Sequence, residues 1–170
     1  MDQSKKDKFM ELYTPLHPRL CRYVQTLVWD KDEAKDLISD TTLIAFEKFD
    51  QIKSHDQFLF FLFGIAHRLF LKSHRRNKFK GMWNEDQLED KIGNRETDSN
   101  LLKLELQFWL SKLSPIEQEA LTLFEISGFS YAEISQILNI EESKVKSTLY
   151  QARQQLKLLI QAEKGAKNES

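Results

Sequence analysis

The chain is predicted to be all-α: two small helical domains joined by a flexible linker, with a helix-turn-helix in the second. Three observations carry this. Only 5 Gly and 3 Pro occur among 170 residues, without Val-rich alternation, which leaves little material for strands. Apolar residues recur at three- and four-residue spacing almost throughout, the mark of amphipathic helices. That periodicity fails only between Asn77 and Asn100, where a linker is expected. The division this suggests is a first domain over 1–78, a linker over 79–100, a second domain over 101–162 and a frayed tail over 163–170.

The first domain reads as three helices. Phe9, Leu12, Tyr13, Leu16, Leu20, Tyr23, Val24 and Leu27 trace the inner side of the first. Pro15 and Pro18 interrupt it, and a proline inside a helix removes a hydrogen bond and clashes with the preceding turn, so a kink or break is expected. Asp30, Asp32 and Glu33 give the second helix an acidic start beside the positive end of its dipole. Leu37, Ile38, Thr41, Ile44, Ala45 and Phe49 form its inner face. The third helix is expected from near Asp56 to about Arg76, with Phe58, Phe61, Leu62, Ile65 and Leu69 toward the core.

The linker holds Gly81, Asn84, Gly93 and Asn94 among charges, with Met82, Trp83, Leu88 and Ile92 as scattered hydrophobes. Helical spacing resumes at Leu101, Leu102, Leu104, Leu106 and Leu110. Ser114-Pro115-Ile116-Glu117 is a capping-box pattern with proline at the first helical position, where its missing N–H costs nothing. Ser130 and Glu133 repeat the pattern ahead of Tyr131, Ile134, Ile137 and Leu138. Asn139 follows where the chain must turn sharply, and asparagine tolerates a left-handed conformation. A last helix then carries Val145, Leu149, Ala152 and Leu156 on one stripe. A short helix, a tight turn and a longer helix is the layout that sets a reading helix into the major groove.

The opposite face of that last helix suits DNA. Ser143, Ser147, Tyr150, Gln151 and Gln154 point away from the apolar stripe, while Lys146, Arg153 and Lys157 gather along a flank. Hydroxyls and amides bond base edges, and a flanking basic row neutralises phosphates. From Ser143 to Ile160 there are four Lys or Arg and no acidic residue.

A net charge of −1 conceals a segregated distribution. Asp30–Ile52 carries seven acidic and three basic residues; His67–Lys80 carries six Lys or Arg, two His and no acid; Gly81–Asn100 carries six acidic and two basic residues. Alternating blocks of sign point to separate faces for separate partners. The third helix adds aromatics to the basic block: Phe60, Phe63, His67 and Phe70 interleave with Arg68, Lys72, Arg75 and Arg76, a pattern of single-strand platforms as well as of ordinary packing.

Other classes are disfavoured. A lone Cys21 excludes a disulfide framework and fits a reducing cytosol. No apolar run reaches the ~18–20 residues of a membrane span, and none resembles a signal segment. The histidines are scattered, no Gly-rich phosphate loop occurs, and neither cofactor nor metal site is expected, so an enzyme is not expected either.

Taken in order, these blocks resemble the sigma-70 family of the small extracytoplasmic-function type, over Phe9 to Leu159. DEAKDLISDTTLIAF (32–46) is similar to the family's core-polymerase-binding helix and FLFFLFGIAHRLFLKSHRR (58–76) to its promoter-melting helix. LSPIEQEALTLFEISGFSYAEISQILNIEESKVKSTLYQAR (113–153) is similar to its promoter-reading domain. The chain departs from the family in places. Ser39-Asp40-Thr41-Thr42 stands for a frequent Gln-Glu-Thr-Phe, Phe61 for a tryptophan, and His67-Arg68 for an Arg-Asn pair. Lys72 replaces an Asp, Thr148 and Gln151 stand where arginines are frequent, and Asn139 replaces a turn glycine.

The resemblance implies a promoter-specificity factor with core RNA polymerase and promoter DNA as partners. Asp36, Leu37, Asp40, Thr41, Ile44 and Glu47 would dock on the clamp helices of the largest subunit. Lys53, Ser54, His55, Phe60, Phe63, His67, Arg68, Lys72, Arg75 and Arg76 would capture the opened −10 strand. Lys144, Lys146, Ser147, Thr148, Tyr150, Gln151, Arg153 and Lys157 would meet the −35 duplex, and the acidic linker would thread the RNA channel. The same resemblance raises the expectation of an anti-sigma factor, membrane-bound or cytoplasmic, and of a cytoplasmic protein that joins the nucleoid with polymerase. The rival reading is a helix-turn-helix regulator that binds an operator without being a polymerase subunit.

Overall fold

Helices account for nearly all the described backbone, as the spacing of apolar residues requires. A computed structural model of the chain describes residues 3–79 and 98–168, with the side chains of 77–79 and 98–104 left aside. The expected features of the linker between them, Trp83 included, lie outside the described residues.

The first expected helix is divided where its prolines demand. α1 (Gln3–Tyr13) ends in a 3₁₀ turn, Thr14–Leu16, and α2 (His17–Leu27) restarts with Pro18 in its first turn. Asp30 caps α3 (Lys31–Glu47): its Oδ1 accepts from Asp32 N at 2.9 Å and Glu33 N at 3.0 Å, so the acidic start satisfies two orphan donors directly. A second 3₁₀ turn, Phe49–Gln51, leads into α4 (His55–Phe79). Aromatic rings fill the space between these helices. Phe9 meets Phe46 at 5.3 Å and Phe58 at 5.7 Å between centroids, both edge to face, the arrangement that the ring quadrupole favours.

The second half has four helices. α5 (Asp98–Ser111) is followed by α6 (Pro115–Leu121), which continues as a π turn over Thr122–Ile126. The expected capping box at Ser114 is only half made. Ser114 Oγ accepts from Glu117 N, but the Glu117 carboxylate accepts from the Ser114 hydroxyl at 2.7 Å instead of reaching the backbone. Gly128, at φ +76°, ends the π turn, and the returning chain closes with Phe129 N donating to Leu123 O at 3.0 Å. α7 (Tyr131–Leu138) starts in a complete capping box of Ser130 and Glu133. Asn139 is left-handed at φ 54°, ψ 49°, and α8 (Glu142–Asn168) follows. The frayed tail expected after Glu163 is helical to Asn168, with Lys167 and Glu163 paired one turn apart at 3.5 Å.

The halves are not separate. α7 lies against α4, α2 against the π turn and α5, so one apolar core runs from Phe9 through Phe63 and Phe129 to Ala152. Gln107 anchors α5 by donating from Nε2 to Gln25 O at 2.7 Å. This explains where the inner face expected for α4 falls short. Phe58, Leu62 and Ile65 are buried as expected, but so are Phe63, Ala66 and Phe70, whereas Phe61 and Leu69 are half-buried. A helix enclosed on two sides buries a wider arc than periodicity against one neighbour indicates.

Candidate nucleic-acid interface

Helix α8 owes its orientation to Val145, Leu149 and Ala152, each at most 1% exposed against α6 and α7. The face opposite that stripe is in solvent: Lys144, Lys146, Ser147, Tyr150, Gln151, Arg153 and Lys157 are all exposed, Tyr150 at 66%. Thr148 is not among them. At 2% exposure it sits on the stripe, three residues after Val145 and four before Ala152, and cannot serve as the expected DNA contact.

The exposed residues have different degrees of freedom. Arg153 Nη2 donates to Glu125 Oε1 at 2.9 Å, and its guanidinium lies 5.2 Å from the Phe124 ring centroid. The Glu125 bond raises the guanidinium's already high proton affinity, so the positive charge is fixed but partly neutralised by its neighbour. Lys146 lies over the Tyr131 ring at 5.9 Å. The Ser147 hydroxyl donates to Lys144 O at 3.1 Å, which leaves its oxygen as an acceptor.

The α4 candidates divide in the same way. Lys53, Ser54 and His55 precede or open the helix in solvent, and Arg68, Lys72, Arg75 and Arg76 form an exposed basic row. Phe60 is half-buried. Phe63 departs from expectation: it is fully buried, 5.5 Å from Tyr23 and 5.1 Å from Phe129 between ring centroids. The second half thus covers the very ring expected to stack on a base. His67 is half-buried, and its Nδ1 is engaged by Glu119 Oε2 at 2.7 Å.

On α3, Asp36, Asp40 and Glu47 are exposed, while Ile44 is half-buried. Leu37 is 7% exposed and Thr41 fully buried, its hydroxyl donating to Leu37 O at 2.7 Å, so neither offers a surface to a partner as expected. In their place Leu43 stands 56% exposed, in register with Asp36, Asp40 and Glu47 at spacings of seven, three and four. That register could have identified it. Leu43 edges a mostly apolar groove of about 490 Å³ that Met10, Phe46, Ile38 and Tyr13 also line. Met10, 44% exposed, could not have been assigned to this groove before the fold of α1 against α3 was known.

Among the described residues the fully buried carboxyl is Glu119 on α6, which no motif signalled. It is fully buried, accepts from the Tyr23 hydroxyl at 2.5 Å and bonds His67. Burial raises the pKa of its carboxyl, against the lowering influence of His67 and Tyr23. Tyr23 is raised well above its ordinary value, by burial first and then by Glu119.

Comparisons with known proteins address the same two halves. The family model for sigma-70 region 2 matches residues 12–80, and that for sigma-70 region 4 matches 103–156. The chain is 31% identical over 163 residues to the RNA polymerase sigma factor YlaC of Bacillus subtilis, covering 89% of this chain and 91% of that protein. It is 29% identical over 153 residues to the ECF RNA polymerase sigma factor SigM of the same organism, covering 88% and 93%. Among solved structures, it is similar to the sigma factor RpoE of Bartonella quintana in complex with the anti-sigma factor NepR. The TM-score is 0.69 at 25% identity, covering 92% of this chain and 98% of that one.

Proposed function

Because the chain belongs to the sigma-70 family of RNA polymerase sigma factors, of the ECF type, it is a promoter-specificity factor for transcription initiation, and we propose how its surfaces divide that work. The observation that carries the division is the exposure of Ser147, Tyr150 and Gln151 on a helix whose opposite stripe is buried, behind a turn set by Asn139. Such a helix can enter the major groove with base-bonding groups foremost and Lys144, Lys146 and Lys157 at the phosphates. This is the −35 contact, and it belongs to a second domain over 101–162.

The exposed acidic face of α3, with Leu43 at its centre, docks on the clamp helices of the polymerase largest subunit. Asp36, Asp40 and Glu47 steer the encounter, and Leu43 with the adjoining groove supplies apolar contact area. The basic row of α4, with Lys53, Ser54 and His55 ahead of it, takes the opened −10 strand within a first domain over 1–78. Extruding a base costs a few kcal/mol, which stacking and strand neutralisation offset. The acidic linker over 79–100 passes through the RNA channel. The protein has no catalysis of its own; phosphodiester chemistry belongs to the polymerase.

Two further parts of the reading concern control and place. A protein antagonist of the anti-sigma class holds the factor inactive, as suggested by the RpoE–NepR complex, where a related factor is bound by one. The factor works in the cytoplasm, at the nucleoid with polymerase; among the described residues no helix is long and apolar enough to cross a membrane.

The test is run-off transcription with purified core polymerase and the full chain across the genome's promoters. Initiation at defined start sites that needs both components is expected. Sequence-specific duplex binding without polymerase-dependent initiation would overturn the reading in favour of an operator-binding regulator.

A further inference from the structure

One flank of α8 is tied down at two points, and both ties run to the same pair of rings. The π turn over Thr122–Ile126 closes through Ser127 N donating to Thr122 O, five residues back, at 3.0 Å. Its extra residue shifts the register of the side chains that follow, so Phe124 and Glu125 leave the buried run 118–123 and stand beside α8. Phe124 stacks on Tyr131, the first residue of α7, at 5.2 Å between centroids and 24° between planes. Arg153 lies over Phe124 and bonds Glu125, while Lys146 lies over Tyr131. Lys146 and Arg153 are seven residues apart. That is two turns of α8, or about 10 Å along its axis.

The buried stripe leaves α8 free to roll. Val145, Leu149 and Ala152 decide which side faces the core, but the methyl of Ala152 offers little resistance to rotation. Two flank contacts two turns apart oppose both roll and tilt. The tolerance is small: a side-chain tip about 5 Å from the helix axis moves about 2 Å in a roll of about 20°. A hydrogen bond to a base edge holds over roughly half an ångström. The Glu125–Arg153 pair is half-exposed, and such a pair alone holds weakly. Here the guanidinium also covers a ring, and the Glu125 bond and, after it, the Tyr131 hydroxyl raise its proton affinity.

We propose that Arg153 is a positioning residue for the −35 contact: seated on Phe124 and held by Glu125, it fixes the roll of α8 and with it the aim of Gln151. It stays seated when duplex binds. The phosphate row is then shorter than the sequence indicates: Lys157 belongs to it and Arg153 does not, while Lys146 stays exposed over its ring and serves phosphate as well. Glu125 aids base reading through Arg153, although its own charge repels DNA. This rests on the reading of α8 as the −35 helix.

Nuclear magnetic resonance of the full chain tests whether the guanidinium stays seated. The Arg153 Nε–H cross-peak, assigned by its loss in Arg153→Lys, should carry an upfield ring-current shift that Phe124→Leu removes. It should keep that shift when −35 duplex is added. Collapse of the shift on addition of duplex would overturn the proposal, because the guanidinium would have left Phe124 for phosphate. The second measurement is binding to a duplex with a −35 element mapped by run-off transcription, to its single-base variants and to a scrambled duplex, across a salt series. Arg153→Ala and Glu125→Ala should each lower discrimination among these duplexes several-fold, and the double variant no further. Arg153→Ala should keep the parent's log–log salt slope. Simple loss of folded protein would weaken every duplex alike and lower helical circular dichroism. If Arg153→Ala weakens all duplexes alike and reduces the slope by about one, while Glu125→Ala tightens them, Arg153 is a phosphate contact and the proposal fails. Unchanged discrimination in both single variants also overturns it. Gln151→Ala separates the premise: unchanged base preference in that variant counts against α8 as the reading helix, whatever Arg153 does.

Discussion

Gln151 and Lys157 lie six residues apart on the same exposed helix and should behave differently. Gln151 stands on the outermost face, where an amide can make paired bonds to adenine; Lys157 lies on the flank, where an ammonium meets phosphate. Gln151→Ala should cost about 1–3 kcal/mol at one position of the −35 element and relax selectivity there. Lys157→Ala should weaken all sequences alike and reduce the log–log salt slope by about one. Binding to single-base promoter variants across a salt series checks both, and reversed behaviour would mean that the helix sits rotated in the groove. Glu119 makes a prediction of another kind. Its folded-state pKa is raised by burial, so the folded chain holds this proton to higher pH than the unfolded chain does. Its contribution to stability is then complete below the ordinary carboxylate range and is lost as pH rises through the raised value. Thermal melts should show the parent losing stability relative to Glu119→Gln as pH is raised from acid toward neutrality. The opposite slope would show that the folded chain does not hold this proton.

Elements differ in how much of their stability is local. α7 has only eight residues, too few to persist alone, so its ends matter. Ser130→Ala should cost about 1 kcal/mol in urea unfolding, because the Glu133 backbone donor loses the Ser130 hydroxyl at the helix start. Asn139→Gly should be neutral or stabilising, whereas Asn139→Ala should cost about 1 kcal/mol for the left-handed backbone. α3 is set by tertiary packing on one side and presents charge on the other. Reversing Asp36 and Asp40 to Lys should weaken binding to core polymerase, most at low salt, while −35 duplex binding by the same variant is unchanged. Equal affinity for core in the double variant would remove α3 from the polymerase interface. Leu43 lies on this face in plain helical register, yet an apolar residue amid charges reads as noise until the neighbouring groove is seen.

At the scale of the whole molecule, the shared core predicts cooperative behaviour despite the long linker. Trp29 reports on the first half and Trp109 on the second. Two single-tryptophan versions of the chain, with the other two tryptophans changed to Phe, should unfold in urea at coincident midpoints. Separate midpoints would show that the halves fold independently and that their contact adds little. Much of this architecture was legible beforehand, because helix starts, breaks and turns are written in local chemistry. Asp30 caps, Pro15 breaks, Ser130 boxes with Glu133 and Asn139 turns, each through bonds to residues within four positions. The exposed face of α8 was legible for the same reason, since one buried stripe fixes the opposite side of a helix.

By itself, then, the sequence determined an all-α chain, its helix boundaries to within a few residues, its segregated charge and its membership of a family defined by ordered motifs. Only the tertiary structure decided which residues remain available at the surface. Phe63 passed into the core because Phe129, 66 residues later, closed over it, and Thr148 joined a stripe one position wider than periodicity showed. Glu119 acquired its role from Tyr23 and His67, 96 and 52 residues away in sequence. Local propensity acts over a turn or two of helix, whereas burial and pairing depend on which faces meet, and that is settled by apolar surface summed over the whole chain.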